Sequence, residues 1–69
     1  MAAAPAENGY TVNVEEGADG WRVVIRDADG GTASERACRS ASEARTYAST
    51  VRQHIYWLSP EKFREYYRI

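Results

Sequence analysis

The hydrophobic pattern of this 69-residue chain changes its period at Ser40, and the change divides the fold into a sheet followed by helices. Before Ser40, apolar and polar residues alternate in residues 10–15 and 21–27, which predicts two half-buried β-strands. A third strand is predicted for residues 32–38, where the alternation is weak and pairing with the second strand must compensate for it. Turn-forming glycines and aspartates separate the three segments, so we expect two hairpins.

The residues after Ser40 have the spacing of an amphipathic helix. Ser40 and Glu43 form a capping box, in which the Ser40 side chain accepts a hydrogen bond from the backbone N–H of residue 43. Ser59 and Pro60 then mark the start of a short second helix that reaches the C-terminus. The apolar residues of the long helix form one stripe: Ala44, Tyr47, Ala48, Val51, Ile55 and Leu58.

Together these segments predict an α+β domain in the order β-β-β-α-α. The long helix is expected to pack its stripe on one face of a three-stranded antiparallel meander, and the short helix follows it. A chain of this length buries one thin core, so residues 10–69 are assigned to a single domain. Residues 1–9 lack hydrophobic periodicity and are predicted to form a disordered tail. The sheet residues expected to contact the helix are Val12, Val14, Trp21, Val23 and Ile25.

The cysteine and histidine content restricts the chemistry that this chain can perform. One Cys and one His exclude an internal disulfide and the usual four-ligand zinc site. Cys38 and His54 would form a nucleophile–base pair only if the fold brought them together, and no orienting motif surrounds either residue. We therefore expect no catalytic residues, no cofactor and no metal, and a protein that is not an enzyme. No apolar run approaches the length of a transmembrane helix, so we also expect no membrane contact.

The formal net charge of −1 conceals a segregation of charge along the chain. Residues 1–35 contain seven acidic and two basic residues, whereas residues 36–69 contain three acidic and seven basic residues. The interpretation that we favour from the sequence is that an acidic sheet docks beside basic helices and the charges pair. The alternative is that the two halves stay unpaired, which would give the molecule two faces of opposite sign.

Five of the eight aromatic residues lie in the last fourteen positions of the chain. Tyr56 and Trp57 lie off the apolar stripe of the long helix, so the sheet alone would leave them exposed. The hypothesis that we favour is that the second helix folds back and covers Trp57 with Phe63. The alternative is a binding surface, because Tyr and Trp are enriched at interaction hot spots. The candidate aromatic surface consists of Tyr56, Trp57, Tyr66 and Tyr67.

Acidic residues concentrate in the two predicted turns of the meander, at opposite ends of the sheet. The simpler interpretation is ordinary solvated charge. The sharper one is a surface that occupies a basic, nucleic-acid-binding groove on another protein, since complementary charge speeds association. The candidate acidic residues are Glu15, Glu16 and Asp19 in the first turn, and Asp27 and Asp29 in the second.

A DNA-binding function is the alternative to a protein-binding one. Arg22 and Arg26 share the predicted outer face of the sheet, and Arg45 and Arg52 add basic charge on the long helix. The order of three strands and a helix resembles the architecture of the arm-type DNA-binding domains of phage integrases, which insert a sheet into a DNA groove. Those domains are basic, whereas here acidic residues are expected on the same face, and cross-strand ion pairs would occupy Arg22 and Arg26.

Three segments resemble two groups of small proteins: Tyr-Thr-Val-Asn-Val-Glu at 10–15, Gly-Trp-Arg-Val-Val-Ile-Arg at 20–26 and Ser-Glu-Ala at 42–44. One group consists of small bacterial β-β-β-α proteins, and the other of phage-encoded anti-CRISPR proteins. The resemblance covers residues 10–48. The second group implies an inhibitor that binds a CRISPR effector complex and blocks DNA binding or nuclease recruitment, without catalytic residues.

From the sequence we therefore expect a small, non-catalytic protein-binding module, with an inhibitor of the anti-CRISPR type as its specific form and a small DNA-binding regulator as the alternative. Its expected partner is another protein, such as a nucleic-acid-binding effector complex. The chain is expected to be a monomer or a weak homodimer in the cytoplasm of a bacterial host.

Overall fold

A computed structural model describes residues 8–69 of the protein as a three-stranded sheet followed by two helices. The strands are β1 (Thr11–Gly17), β2 (Gly20–Arg26) and β3 (Thr32–Cys38), antiparallel and in the order β1-β2-β3. They are followed by α1 (Ala41–Trp57) and α2 (Pro60–Tyr67). The predicted α+β order β-β-β-α-α is confirmed.

The two hairpins differ in regularity. β1 pairs with β2 in continuous register as far as Gly17 and Gly20, so only Ala18 and Asp19 form the first turn. The first turn is therefore shorter than predicted, because Glu16 and Gly17 belong to β1. The weakly alternating third segment does form β3 through pairing with β2, with a register shift opposite Ile25 and Arg26.

The start of the described chain is tied to the end of α1. Asn8 is buried, its side-chain amide donates to the Leu58 carbonyl at 3.2 Å, and its Oδ1 accepts from the Tyr10 backbone N–H at 3.0 Å. Most of the predicted tail, residues 1–7, lies outside the described residues. The described chain thus includes two residues before the predicted domain boundary, and Asn8 hydrogen-bonds to backbone groups there.

Both helices begin at the predicted capping residues. The Ser40 hydroxyl accepts from the Glu43 backbone N–H at 3.1 Å, and the Ser59 hydroxyl accepts from the Lys62 backbone N–H at 3.2 Å. The Glu43 carboxylate accepts from the backbone N–H of Arg39, one residue before the cap. These bonds satisfy N–H groups that the first helical turn leaves free, and they fix where each helix starts.

The core lies between the helices and one face of the sheet. One cluster, near the start of α1, contains Val23, Cys38, Ala44 and Ala48. The second, towards the end of α1, contains Tyr10, Ile25, Val51, Ile55 and Phe63. Phe63 of α2 is fully buried, and its ring stacks on that of Tyr10 with 4.6 Å between the centroids. The short helix α2 therefore completes the core rather than forming a separate appendage.

Candidate interaction surfaces

The outer face of the sheet is closed by cross-strand ion pairs. Glu15 of β1 accepts from Arg26 at 2.9 Å and from Arg22 at 3.4 Å, and Glu35 of β3 lies 3.8 Å from Arg22. Val24 lies between the two arginines on this face and is only 2 % exposed, because the long charged side chains cover it. The predicted pairing of Arg22 and Arg26 is confirmed, so both arginines are engaged with carboxylates.

The two charged halves of the chain do not pair with each other in residues 8–69. The pairs made by Glu15, Arg22, Arg26 and Glu35 all lie within the acidic half. The remaining pair, Lys62 with Glu65 at 4.0 Å, lies within the basic half. The interpretation favoured from the sequence, that an acidic sheet pairs with basic helices, is wrong for this part of the chain. It failed because Glu15, Arg22 and Arg26 lie on adjacent strands, on the sheet face opposite the helices.

The predicted acidic surface is divided and partly occupied. Glu15 is engaged on the outer face, while Glu16 and Asp19 are exposed near the first turn. Asp27 organises the second turn, where its Oδ1 accepts from the backbone N–H groups of Asp29 and Gly31 at 3.0 Å each. Because successive turns of a meander lie at opposite ends of the sheet, the five acidic residues do not form one patch.

Trp57 and Tyr66 form an exposed aromatic patch on the helical side of the molecule. Trp57 is 74 % exposed and Tyr66 is 62 % exposed. Trp57 follows His54 by three residues and so shares its side of α1. The Tyr66 ring packs edge-on against the His54 ring, with 4.5 Å between their centroids. The hypothesis that Phe63 covers Trp57 is wrong, because Phe63 points instead into the core against Tyr10.

Tyr67 supports Tyr66 and His54 from beneath. The Tyr67 hydroxyl and His54 Nδ1 are hydrogen-bonded at 2.6 Å, and the Tyr67 ring lies 4.7 Å from that of Phe63. Burial, and to a lesser extent Tyr47 and Tyr66, raises the pKa of Tyr67 to about 12. Tyr67 was predicted as part of the binding surface, but it is half-buried and supports that surface from beneath.

Tyr56 belongs to a different surface, a shallow groove between α1 and β1. The groove has a volume of about 210 Å³, and Tyr56 is 49 % exposed beside it. Arg52 lines the same groove and has no ion-pair partner within residues 8–69. Its remaining lining residues are Tyr10, Thr11, Val12 and Ile55. The four predicted aromatic residues therefore do not form one surface. Trp57 and Tyr66 belong to the aromatic patch, Tyr56 lies at the groove, and Tyr67 lies beneath the patch.

Arg45 lies seven residues, or about two turns, before Arg52 on the exposed flank of α1. It is exposed and, like Arg52, makes no ion pair in the described residues. Of the four predicted nucleic-acid contacts, the two on the sheet are thus engaged with carboxylates and the two on the helix are not.

Cys38 and His54 are held apart by the length of α1. Cys38 packs with Ala44 and Ala48 near the start of the helix, whereas His54 contacts Tyr66 and Tyr67 near its end. The structure therefore does not assemble the nucleophile–base pair considered from the sequence. Within residues 8–69, no three His, Cys, Asp or Glu side chains come together as potential metal ligands.

Sequence reasoning missed two features of these surfaces. The first is the structural role of His54, for which the sequence offers no signal because Tyr67 lies thirteen residues away on another helix. The second is the groove beside β1. The sequence could have predicted part of this groove, because Arg52 and Tyr56 are four residues apart and so share one flank of α1.

No helix within residues 8–69 has the length and apolar character required to cross a membrane. Comparison of the chain with protein-family models, with curated proteins and with solved structures found no match.

Proposed function

We propose that this protein is a non-catalytic binding module whose aromatic patch, Trp57 and Tyr66, contacts another protein. The observation that carries the proposal is the 74 % exposure of Trp57, beside a Tyr66 that is 62 % exposed. A large exposed apolar surface costs solubility and stability in a small domain unless a partner covers it. Trp and Tyr are also the residue types that contribute most binding free energy when an interface buries them.

The packing of Tyr66 supports this proposal. Tyr66 packs on His54, and His54 is fixed by its hydrogen bond to the half-buried Tyr67. Tyr67 in turn packs on Phe63 in the core. An aromatic side chain that is already held in place loses little conformational entropy on binding, so more of its burial contributes to affinity.

The specific form of the proposal is an inhibitor of a CRISPR effector complex in a bacterial host, which is the partner class that the sequence resemblance suggests. Purified effector complexes are therefore the first probes. They should be compared side by side on immobilised wild-type protein, on a W57A/Y66A variant and on an R39E control. Arg39 is exposed in the connection between β3 and α1, so its reversal changes charge without touching the patch.

A partner retained by wild type and R39E but lost from W57A/Y66A is the expected result. If the double variant retains the same partner as wild type, the aromatic patch is not the binding surface. If no effector complex binds wild type, the inhibitor form of the proposal fails, and the same three proteins are then tested against an extract of the native host.

The second candidate, a DNA-binding regulator, is favoured by one observation. Arg45 and Arg52 are exposed on one flank of α1 and have no carboxylate partner within residues 8–69. A gel shift at low salt separates the two candidates. Retarded duplex DNA that is released steeply as salt rises, and that is lost in R45E/R52E, would support the regulator. Unretarded DNA supports the protein-binding module.

A further inference from the structure

The free edge of β1 combines three features that together specify a partner. β1 pairs with β2 alone in the described sheet, so its outer edge presents unpaired backbone N–H and C=O groups. The groove formed with α1 lies directly beside the first half of this strand. Opposite charges occupy the two ends of the edge, with Arg52 above Val12 and the exposed Glu16 near the turn.

The opposite edge of the sheet has the features that discourage pairing. β3 contains the register shift near Ala33, which twists an edge away from a regular partner. It also presents Arg36, whose guanidinium lies 4.6 Å from the centre of the Tyr47 ring. β1, in contrast, has a continuous register from Thr11 to Gly17. The two edges therefore differ in their capacity to accept another strand.

We propose that β1 pairs antiparallel with β1 of a second copy of this chain, which produces a two-fold symmetric dimer with a continuous six-stranded sheet. Along β1, side chains alternate between faces, and Val12, Val14 and Glu16 all lie on the helical face. With the two-fold axis near Val14, Glu16 of the second copy lies opposite Val12. That position is beneath Arg52, at the groove.

Charge complementarity is what favours a second copy over an unrelated strand. Neither Glu16 nor Arg52 has an ion-pair partner within residues 8–69, and both side chains are exposed. The symmetry makes each contact twice, so one Glu16 and one Arg52 per chain yield two ion pairs. The same symmetry lets the Val14 side chain approach its counterpart at the axis, beside the apolar groove.

The dimer uses neither Trp57 nor Tyr66 and does not depend on the proposed function. It leaves the aromatic patch accessible in each chain, because neither Trp57 nor Tyr66 lines the groove or belongs to β1. If both proposals hold, the dimer would present two aromatic patches at once, and paired binding sites increase avidity for a symmetric partner.

A charge-swap series measured by sedimentation equilibrium tests the proposal. Wild type is expected to show a mass that rises towards that of two chains as concentration increases. R52E and E16R should each raise the dimer dissociation constant by about tenfold or more, because each places like charges together twice. The double variant R52E/E16R should recover most of the wild-type affinity, since it restores opposite charges in exchanged positions.

Two matched controls reverse exposed charges away from the β1 edge. R39E lies in the connection after β3, and D29R lies in the turn between β2 and β3. Both should dimerise as wild type does. A wild type that stays monomeric up to its solubility limit overturns the proposal, as does a dimer that neither single variant weakens or that the double variant fails to restore.

Amide hydrogen exchange locates the contact independently of charge. In wild type, amides of β1 should gain protection as concentration rises, whereas those of β3 should not change. Concentration-dependent protection confined to β3 or α2 would place the contact elsewhere and contradict pairing through β1.

Discussion

At the level of single residues, the hydrogen bond between Tyr67 and His54 is the contact that the sequence was least able to predict. The sequence identifies His54 only as a lone histidine near an apolar stripe, for which catalytic and structural roles are both conceivable. The structure places Tyr67 against it at 2.6 Å and shows that the pair supports Tyr66. A contact between two helices depends on how they cross, and spacing within one helix does not encode that angle.

Tyr67 should make the protein sensitive to alkali. Its pKa rises from 10.0 to about 12 in the folded protein, so the unfolded state loses the Tyr67 proton first as pH increases. The contribution of this proton to stability is therefore complete below pH 10.0 and is lost as pH rises towards about 12. Urea unfolding of wild type and Y67F between neutral and alkaline pH measures the effect.

Y67F should be less stable than wild type at neutral pH by about 1 kcal/mol, the net value of one hydrogen bond. The difference should shrink as pH rises, since only wild type has this ionisable hydroxyl. Y66F, at an exposed ring of the same patch, is the control and should follow wild type. A stability difference between wild type and Y67F that stays constant across the alkaline range would contradict the raised pKa.

At the scale of elements, the order of strands and helices was predictable because each begins or ends at a local signal. Ser40 and Ser59 cap the helices where the sequence indicated. The length of the first turn was not predictable in the same way, since Glu16 and Gly17 extend β1 only through pairing with β2. The position of α2 was also beyond local reasoning, because the Phe63 contact with Tyr10 joins residues far apart in the chain.

The short helix α2 should be essential to folding. F63A removes a fully buried ring from the cluster that includes Tyr10 and Ile25, and such changes cost about 3 to 5 kcal/mol. A domain of this size has little stability to spare. The midpoint temperature of F63A unfolding, followed by circular dichroism, should therefore fall far below that of wild type, or the transition should lose its cooperativity. Y66A on the same helix, where the ring is 62 % exposed, should unfold almost as wild type does. Equal stability of F63A and wild type would show that α2 does not complete the core.

At the scale of the whole molecule, the near-neutral net charge is misleading because the acidic and basic halves do not neutralise each other. Ion pairs form between neighbouring strands or within α2, and none joins the two halves in residues 8–69. The result is an outer sheet face that is locally neutral, exposed acids near the turns and exposed arginines along α1. The candidate surfaces could be proposed from sequence, but which of them stays accessible depends on this pairing and on the direction of α2.

Binding of a protein at the aromatic patch is tested by the affinity of W57A for the captured partner. Isothermal titration of that partner into wild type, W57A and R39E compares them under one condition. Because Trp57 is 74 % exposed, its replacement leaves the fold intact. We predict that W57A weakens binding by about thirtyfold or more, as loss of a hot-spot residue does, and that R39E binds as wild type. Equal affinity of W57A and wild type would contradict the account.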